Sequence, residues 1–181
     1  VAVTASNLRS EAEVAKVEFL DAAAFKSTAC IRRIAASATA PFTMIYTKTT
    51  ELSFGQFALE RFLSIADDSA AAMVYADHFN EVDGNRAFAP VIDCQEGALR
   101  DDFDFGSVMI YRTSALKEAV ARMDVDYEYA GLYDLRLKVS QKGSLVHINE
   151  YLYYEIETDT RKSGEKLFDY VDPKNRAVQI E

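Results

Sequence analysis

With 181 residues, 49% of them hydrophobic, the chain is long enough for one domain with a real core. Its 20 Lys and Arg against 29 Asp and Glu leave a formal net charge of −9, which argues against nucleic-acid binding, since binders of phosphate backbones present a basic face. No apolar run approaches the roughly 20 residues of a transmembrane helix. There is no signal-peptide pattern, and because Val1 is not an initiator Met the chain is expected to be trimmed or excised. Cys30 and Cys94 are far apart and lack a His or Cys at metal spacing, so reduced core thiols and a cytoplasmic location are expected.

Along the chain, strand-like and helix-like segments alternate. Val1 to Ala5 is β-prone, Ser10 to Val17 reads as a short helix and Val17 to Leu20 as a strand. Ser27 is placed as the N-cap of a helix with Cys30, Ile31, Ile34 and Ala38 on one face, ended by Pro41. Phe42 to Thr47 reads as a strand, and Ser53 as the start of a longer helix carrying Phe54, Phe57, Ala58, Phe62 and Ile65. Ala72 to Ala76 follows as a strand. This alternation predicts an α/β domain with a mainly parallel, mixed sheet flanked by helices. Such sheets bind ligands beyond the carboxyl ends of their strands, which points to Thr47–Thr50 and to Asp77-His78.

The second half is more irregular. Asp83-Gly84 signals a hairpin between Phe79–Val82 and Asn85–Phe88. Gly106 to Tyr111 reads as a strand, Ser114 to Met123 as a helix, and Tyr133 to Ser140 as another helix ended by Gly143. Leu145–Ile148 and Tyr151–Ile156 read as two strands separated by Asn149-Glu150. With no repeat and no linker, residues 1–181 read as a single domain.

No Gly-rich phosphate loop and no GxSxG elbow occur. His78 and His147 lack a partner Ser or Cys signature and read as satisfied core or rim residues. What remains is a set of carboxylates (Asp77, Asp93, Asp101, Asp102, Asp104 and Asp134), many aromatics, and the basic stretch Thr160–Lys166. Carboxylates bind divalent ions and hydroxyls, aromatic faces suit rings, and a loop with Arg161, Lys162 and Lys166 suits a diphosphate. Together these suit a nucleotide-sugar. The stretch RDDFDFGS, Arg100 to Ser107, is either a solvated acidic loop anchored by Phe103 and Phe105 or the floor of a pocket.

Several segments resemble the family-2 glycosyltransferases of the GT-A (Rossmann-like) fold, most closely a bacterial branch. Ser27–Ala38 is similar to that family's helix before its central strand, and Pro41–Thr50 to the strand leading to its metal-binding Asp-x-Asp. Leu52–Phe62 resembles the next helix. Asp104–Leu116 resembles the acceptor-side strand and helix, including an Arg before the helix, and Tyr133–Leu137 resembles the Glu-Asp-x-Asp-Leu element. The likeness spans nearly the whole chain, with the family's first strand and helix missing before Val1, as in a piece of a longer protein.

The resemblance implies transfer of a sugar from a nucleotide-sugar to a glycan or lipid-linked acceptor, as in polysaccharide biosynthesis. The implied location is cytoplasmic, with any membrane association through other parts of a longer protein. It places Asp102, Asp104 and Asp134 as catalytic candidates, Asp77 at donor or metal, and Arg161, Lys162 and Lys166 at the diphosphate. Thr47 and Thr49 replace the Asp-x-Asp carboxylates, and Gly131 and Leu132 replace the Glu-Asp pair that supplies the base. No tightly bound divalent ion is therefore expected at Thr47 and Thr49, and Mg²⁺ or Mn²⁺ would have to be held by neighbouring acids. RDDFDFGS becomes the rim of the sugar or acceptor pocket. The alternative is a non-catalytic GT-A-like module that binds a carbohydrate or nucleotide.

Overall fold

The computed structural model describes residues 24–82, 84–95, 103–156 and 176–181. The segments expected before residue 21, and Asp101, Asp102, Arg161, Lys162 and Lys166, lie outside these residues. The described fold begins with Ser27, whose Oγ accepts the Cys30 amide at 3.2 Å and caps α1 (Thr28–Ser37). The chain then makes β1 (Phe42–Tyr46), the short β2 (Leu52–Phe54), α2 (Ala58–Asp68) and β3 (Met73–Val82). After Gly84 it returns as β4 (Asn85–Ala89), followed by β5 (Val108–Arg112), α3 (Thr113–Val120), α4 (Gly131–Ser140), β6 (Leu145–Ile156) and α5 (Arg176–Ile180).

Among the described residues six strands form one mixed sheet in the order β1-β5-β3-β6-β2, with β4 pairing the far half of β3. Only β3 and β6 pair in parallel; β1–β5, β3–β5, β3–β4 and β2–β6 are antiparallel. The expected mainly parallel sheet is corrected accordingly: β5 runs against both of its neighbours and so places β1 and β3 in the same direction without pairing them. Segments 42–46 and 73–77 do share this sheet, as the alternation suggested.

Strand alternation sends the core to both sides. On one face Ile45, Met73, Tyr75, Met109 and Tyr111 pack under α1, α3 and α4 through Ile31, Leu116 and Leu135. On the other, Val74, Ala76, Val108, Ile110 and Ile148 receive Ala58, Phe62 and Ala66 of α2. Each such fully buried Leu or Phe contributes about 1.5–3 kcal/mol. Arg112 ties β5 to α2 by donating to the Ala66 and Ala71 carbonyls at 2.7 and 3.2 Å, near the end of that helix where carbonyls lack partners.

Three local readings change. Residues 52–54 are strand, because Phe54 pairs opposite Tyr153 and packs on its ring, and the helix starts only at Ala58 after Phe57 takes a left-handed φ of 59°. Residues 145–156 form one strand; Asn149-Glu150 is absorbed as an irregularity in its pairing with β3. The helix 131–140 closes on Gln141 with right-handed backbone, and Gly143 serves instead as a close pass, where a Cβ would lie 3.2 Å from that of Ala72.

Two exchanges should reverse the usual sign of a glycine substitution. Alanine normally stabilises a helix over glycine. At Gly131, however, a Cβ would lie 2.7 Å from the Lys26 carbonyl oxygen and equally close to Ser27 backbone. Gly131→Ala is expected to cost about 3 kcal/mol by overpacking. Phe57 is 68% exposed and left-handed, so Phe57→Gly is expected to gain about 1 kcal/mol. Urea midpoints of the two variants check both signs.

Candidate functional site

Because β1, β3 and β6 run the same way, their carboxyl ends meet at one edge of the sheet, where β5 begins. That edge gathers a buried polar cluster. Glu155 of β6 is 4% exposed; its Oε1 lies 2.6 Å from Lys48 Nζ and 3.2 Å from His78 Nε2, and its Oε2 accepts the Ser107 hydroxyl. Lys48 follows β1 and also donates to the Ile156 carbonyl. Tyr153 Oη accepts the Ser107 amide at 3.1 Å, and the Tyr153 ring stacks on His78 at 5.0 Å. His78 Nδ1 is buried without a hydrogen-bond partner.

Gly106 makes this assembly possible. Its φ of 71° lies in the left-handed region, and a Cβ there would collide with Tyr153 Oη. Asp104 holds the turn from outside, its Oδ1 accepting the Gly106 amide at 2.8 Å.

Burial alone would raise the Glu155 carboxyl, but its contacts from His78, Lys48 and Ser107 outweigh that and hold it down at about 2. A carboxylate so firmly ionised is a fixed anchor and a poor proton acceptor near neutral pH. Burial raises the Tyr153 phenol, assisted by the Glu155 charge, so it stays a neutral hydrogen-bonding group.

Asp77 faces away from this cluster. It is 1% exposed, and its Oδ1 accepts the Val91 amide and lies 2.9 Å from His147 Nε2. His147 Nδ1 lies 2.7 Å from Asp93, and its ring stacks on Tyr75. With both ring nitrogens occupied by carboxylates, His147 has no free nitrogen for base chemistry. Asp77, His147 and Asp93 therefore fasten the segment after β4 to the sheet.

Asp104 is the sequence-nominated acid that stands exposed at the carboxyl edge. Asp134 sits half-buried in the first turn of α4, 3.7 Å from Lys138. Phe105 is fully buried against Tyr75 at 4.9 Å and Phe103 packs beside it, so the two phenylalanines of RDDFDFGS anchor the loop. Sequence reasoning reached the Thr47–Thr50 end, His78 and Asp104, but gave no role to Lys48 within that end or to Ser107 within RDDFDFGS, and did not name Glu155. The signal for Glu155 was an acid at the end of the aromatic run Tyr151–Tyr154, two residues from Tyr153 and on the same face.

Thr47, Lys48 and Thr49 do not fit a divalent ion, since an ammonium stands between two hydroxyls. Among the described residues no group of three His, Cys, Asp or Glu side chains is placed to hold a metal. No helix among them is long and apolar enough to cross a membrane.

Beside Glu155 the edge opens into a groove of about 230 Å³ lined by Glu51, Ser53, Glu81, Arg86, Tyr154 and Ile156. No known family model matches the chain, and no curated protein matches it.

The Glu155 carboxyl releases its proton more readily folded than unfolded. Its contribution is therefore whole above about pH 4.5 and lost as pH falls toward 2. Denaturant titrations across that window should show roughly 3 kcal/mol of acid-labile stability that Glu155→Gln removes.

Proposed function

We propose that the chain is a glycosyltransferase-like domain of the GT-A type. It would take a nucleotide-sugar at the carboxyl edge of its sheet and pass the sugar to a glycan or lipid-linked acceptor. The observation that carries this reading is the position of Lys48. It stands between the two threonines that replace the metal-binding carboxylates, at the sheet edge where α/β proteins receive ligands.

In this reading the Lys48 ammonium supplies the positive charge that a divalent ion supplies in the resembling family. A diphosphate arriving at the edge would compete with Glu155 for Lys48, while Glu155 keeps the contacts of Ser107 and His78. The threonine hydroxyls add neutral donors to the phosphate oxygens. Asp104, exposed on the loop that enters β5, is the carboxylate placed to take the acceptor proton. Asp134 is closer to a helix-surface ion pair than to this edge chemistry, and Asp77 supports the scaffold. Arg161, Lys162 and Lys166 remain proposed diphosphate contacts from the sequence.

A specific observation favours the second reading, a non-catalytic carbohydrate- or nucleotide-binding module. The deepest acid at the edge, Glu155, is engaged on both oxygens and held ionised. The two readings separate in one assay.

The protein is incubated with a panel of uridine, guanosine, thymidine and cytidine nucleotide-sugars, with chelator and with Mn²⁺, and nucleotide release is followed. Release that survives chelation and falls at least 100-fold in Asp104→Asn, with unchanged stability, is the expected result. Lys48→Met should abolish donor binding, and Lys48→Arg should keep part of it. Binding without release supports the module. If no panel member binds, the transferase reading fails, and the module reading is left with carbohydrate alone.

A further inference from the structure

Past the carboxyl-edge cluster, the sheet continues as a three-strand extension of β4, β3 and β6, and its face carries aromatics in register. Phe79 pairs with Phe88 on one side and with Tyr154 on the other, and Ser53 of β2 continues the same row beyond Tyr154. The Phe79 and Tyr154 rings stack at 4.9 Å, Phe88 lies 5.2 Å from Phe79, and Tyr151 closes the set at 5.0 and 4.9 Å from Phe79 and Phe88. A cross-strand row of aromatics in a core would be covered. Here Phe88 is 71% exposed.

One row further along the strands the chemistry changes. Arg86 lies over the outer face of Tyr154 at 4.3 Å and 3.5 Å from Glu81. These side chains, with Ser53, Glu51, Ile156 and the chain at Glu155, line the 230 Å³ groove, which meets the aromatic row at Tyr154. An apolar ledge thus borders a trench of carboxylate, hydroxyl and guanidinium groups.

The charges of the trench limit what fits. Glu81 faces Arg86, and Glu155 faces Lys48 from behind, so two of its three carboxylates are balanced within the protein. An anionic ligand would meet carboxylates, and a strongly cationic one would find little unbalanced charge. The remaining oxygens and N–H groups still accept and donate hydrogen bonds. A ring with one apolar face and a rim of hydroxyls, carrying no charge, matches both the ledge and the trench.

We infer that the Phe79–Phe88–Tyr151–Tyr154 ledge, with the adjoining Glu51–Glu81–Arg86 groove, is a docking site for a neutral oligosaccharide. It deepens the glycosyltransferase reading, on which its role as an acceptor site rests: the acceptor is an uncharged glycan, held on the aromatic ledge through units away from the one that reacts, while the Glu155 side chain turns to the opposite face of the sheet. The open side of the groove lets the rest of a longer glycan extend over β4.

The experiment uses the full chain and a panel of neutral gluco-, manno-, galacto- and N-acetylglucosamine oligosaccharides, without nucleotide. Binding is followed by NMR of the aromatic resonances and by calorimetry. Expected are submillimolar binding of at least one panel member and shifts confined to Phe79, Phe88, Tyr151 and Tyr154. Phe88→Ala should weaken that binding at least tenfold. Phe88 is exposed, so its loss should leave the fold intact, and Arg86→Gln gives a second, independent weakening. The proposal is overturned if no neutral oligosaccharide binds, or if binding is indifferent to both substitutions. It is equally overturned if the ledge is buried instead by a second copy of the chain or by a basic peptide, as seen by sedimentation and by peptide titration. A protein that releases nucleotide but ignores every oligosaccharide sinks this inference alone. One that binds oligosaccharide but no nucleotide-sugar sinks the transferase reading alone.

Discussion

The parallel pairing of β3 with β6 is the constraint on which both surfaces of interest depend. Up to Ala76 and Ile148 the two strands keep step. Then Asp77 pairs with Tyr151 and His78 with Tyr153, so β6 uses extra residues twice within a few positions. Without those irregularities the alternation would run on unchanged, and Tyr153 would not fall beside His78. With them, Tyr153 and Glu155 share the face of His78 and close on Ser107. Tyr154 turns to the other face, beside Phe79. One local shift of register therefore makes a polar cluster on one side of the sheet and an aromatic ledge on the other.

Much of the fold was legible because it rests on local chemistry. Ser27 announced a cap that the structure uses, and the 3.6-residue spacing of Ile31 and Ile34 marked a face that is buried. Asp83-Gly84 marked a hairpin, and β3 and β4 pair as it required. Failures arose where local patterns serve two geometries equally. Phe54 fits the apolar stripe of α2 as well as a strand, and only its pairing with Tyr153, far along the chain, decides for the strand. Asn149-Glu150 looks like a turn until a neighbouring strand is present to hold the chain straight. Strand direction was misjudged for a similar reason, since alternation with helices says nothing about a strand such as β5 that enters between two others in the opposite sense.

The candidate site was legible only in outline. The carboxyl-edge rule found the loop after β1 and His78, because that rule follows from the geometry of strands and helices rather than from residue identity. It also named Asp77, which occupies the next position on β3 and for that reason points to the opposite face, toward His147. The acids favoured from sequence were conspicuous because they were clustered. Glu155 sits at the end of an aromatic run, and its importance comes from Lys48, Ser107 and His78, contributed by three other stretches of chain. Such a convergence leaves no trace in spacing.

The position of β6 in the sheet also bears on how the chain is made. It is the last strand of the described sequence, yet it lies between β3 and β2, and among the described residues β2 pairs only with β6. A nascent chain can therefore complete the β1–β5–β3 side while β2 and the far edge of β3 wait with open hydrogen-bonding groups. Their partner emerges roughly 70–100 residues later, about 4–20 s at ordinary synthesis rates. Contacts of such long sequence separation slow folding, and unpaired edges invite pairing with other chains. Ribosome stalling or truncation ahead of residue 145 would thus leave an aggregation-prone half-sheet, and chaperone demand should peak just before β6 is released.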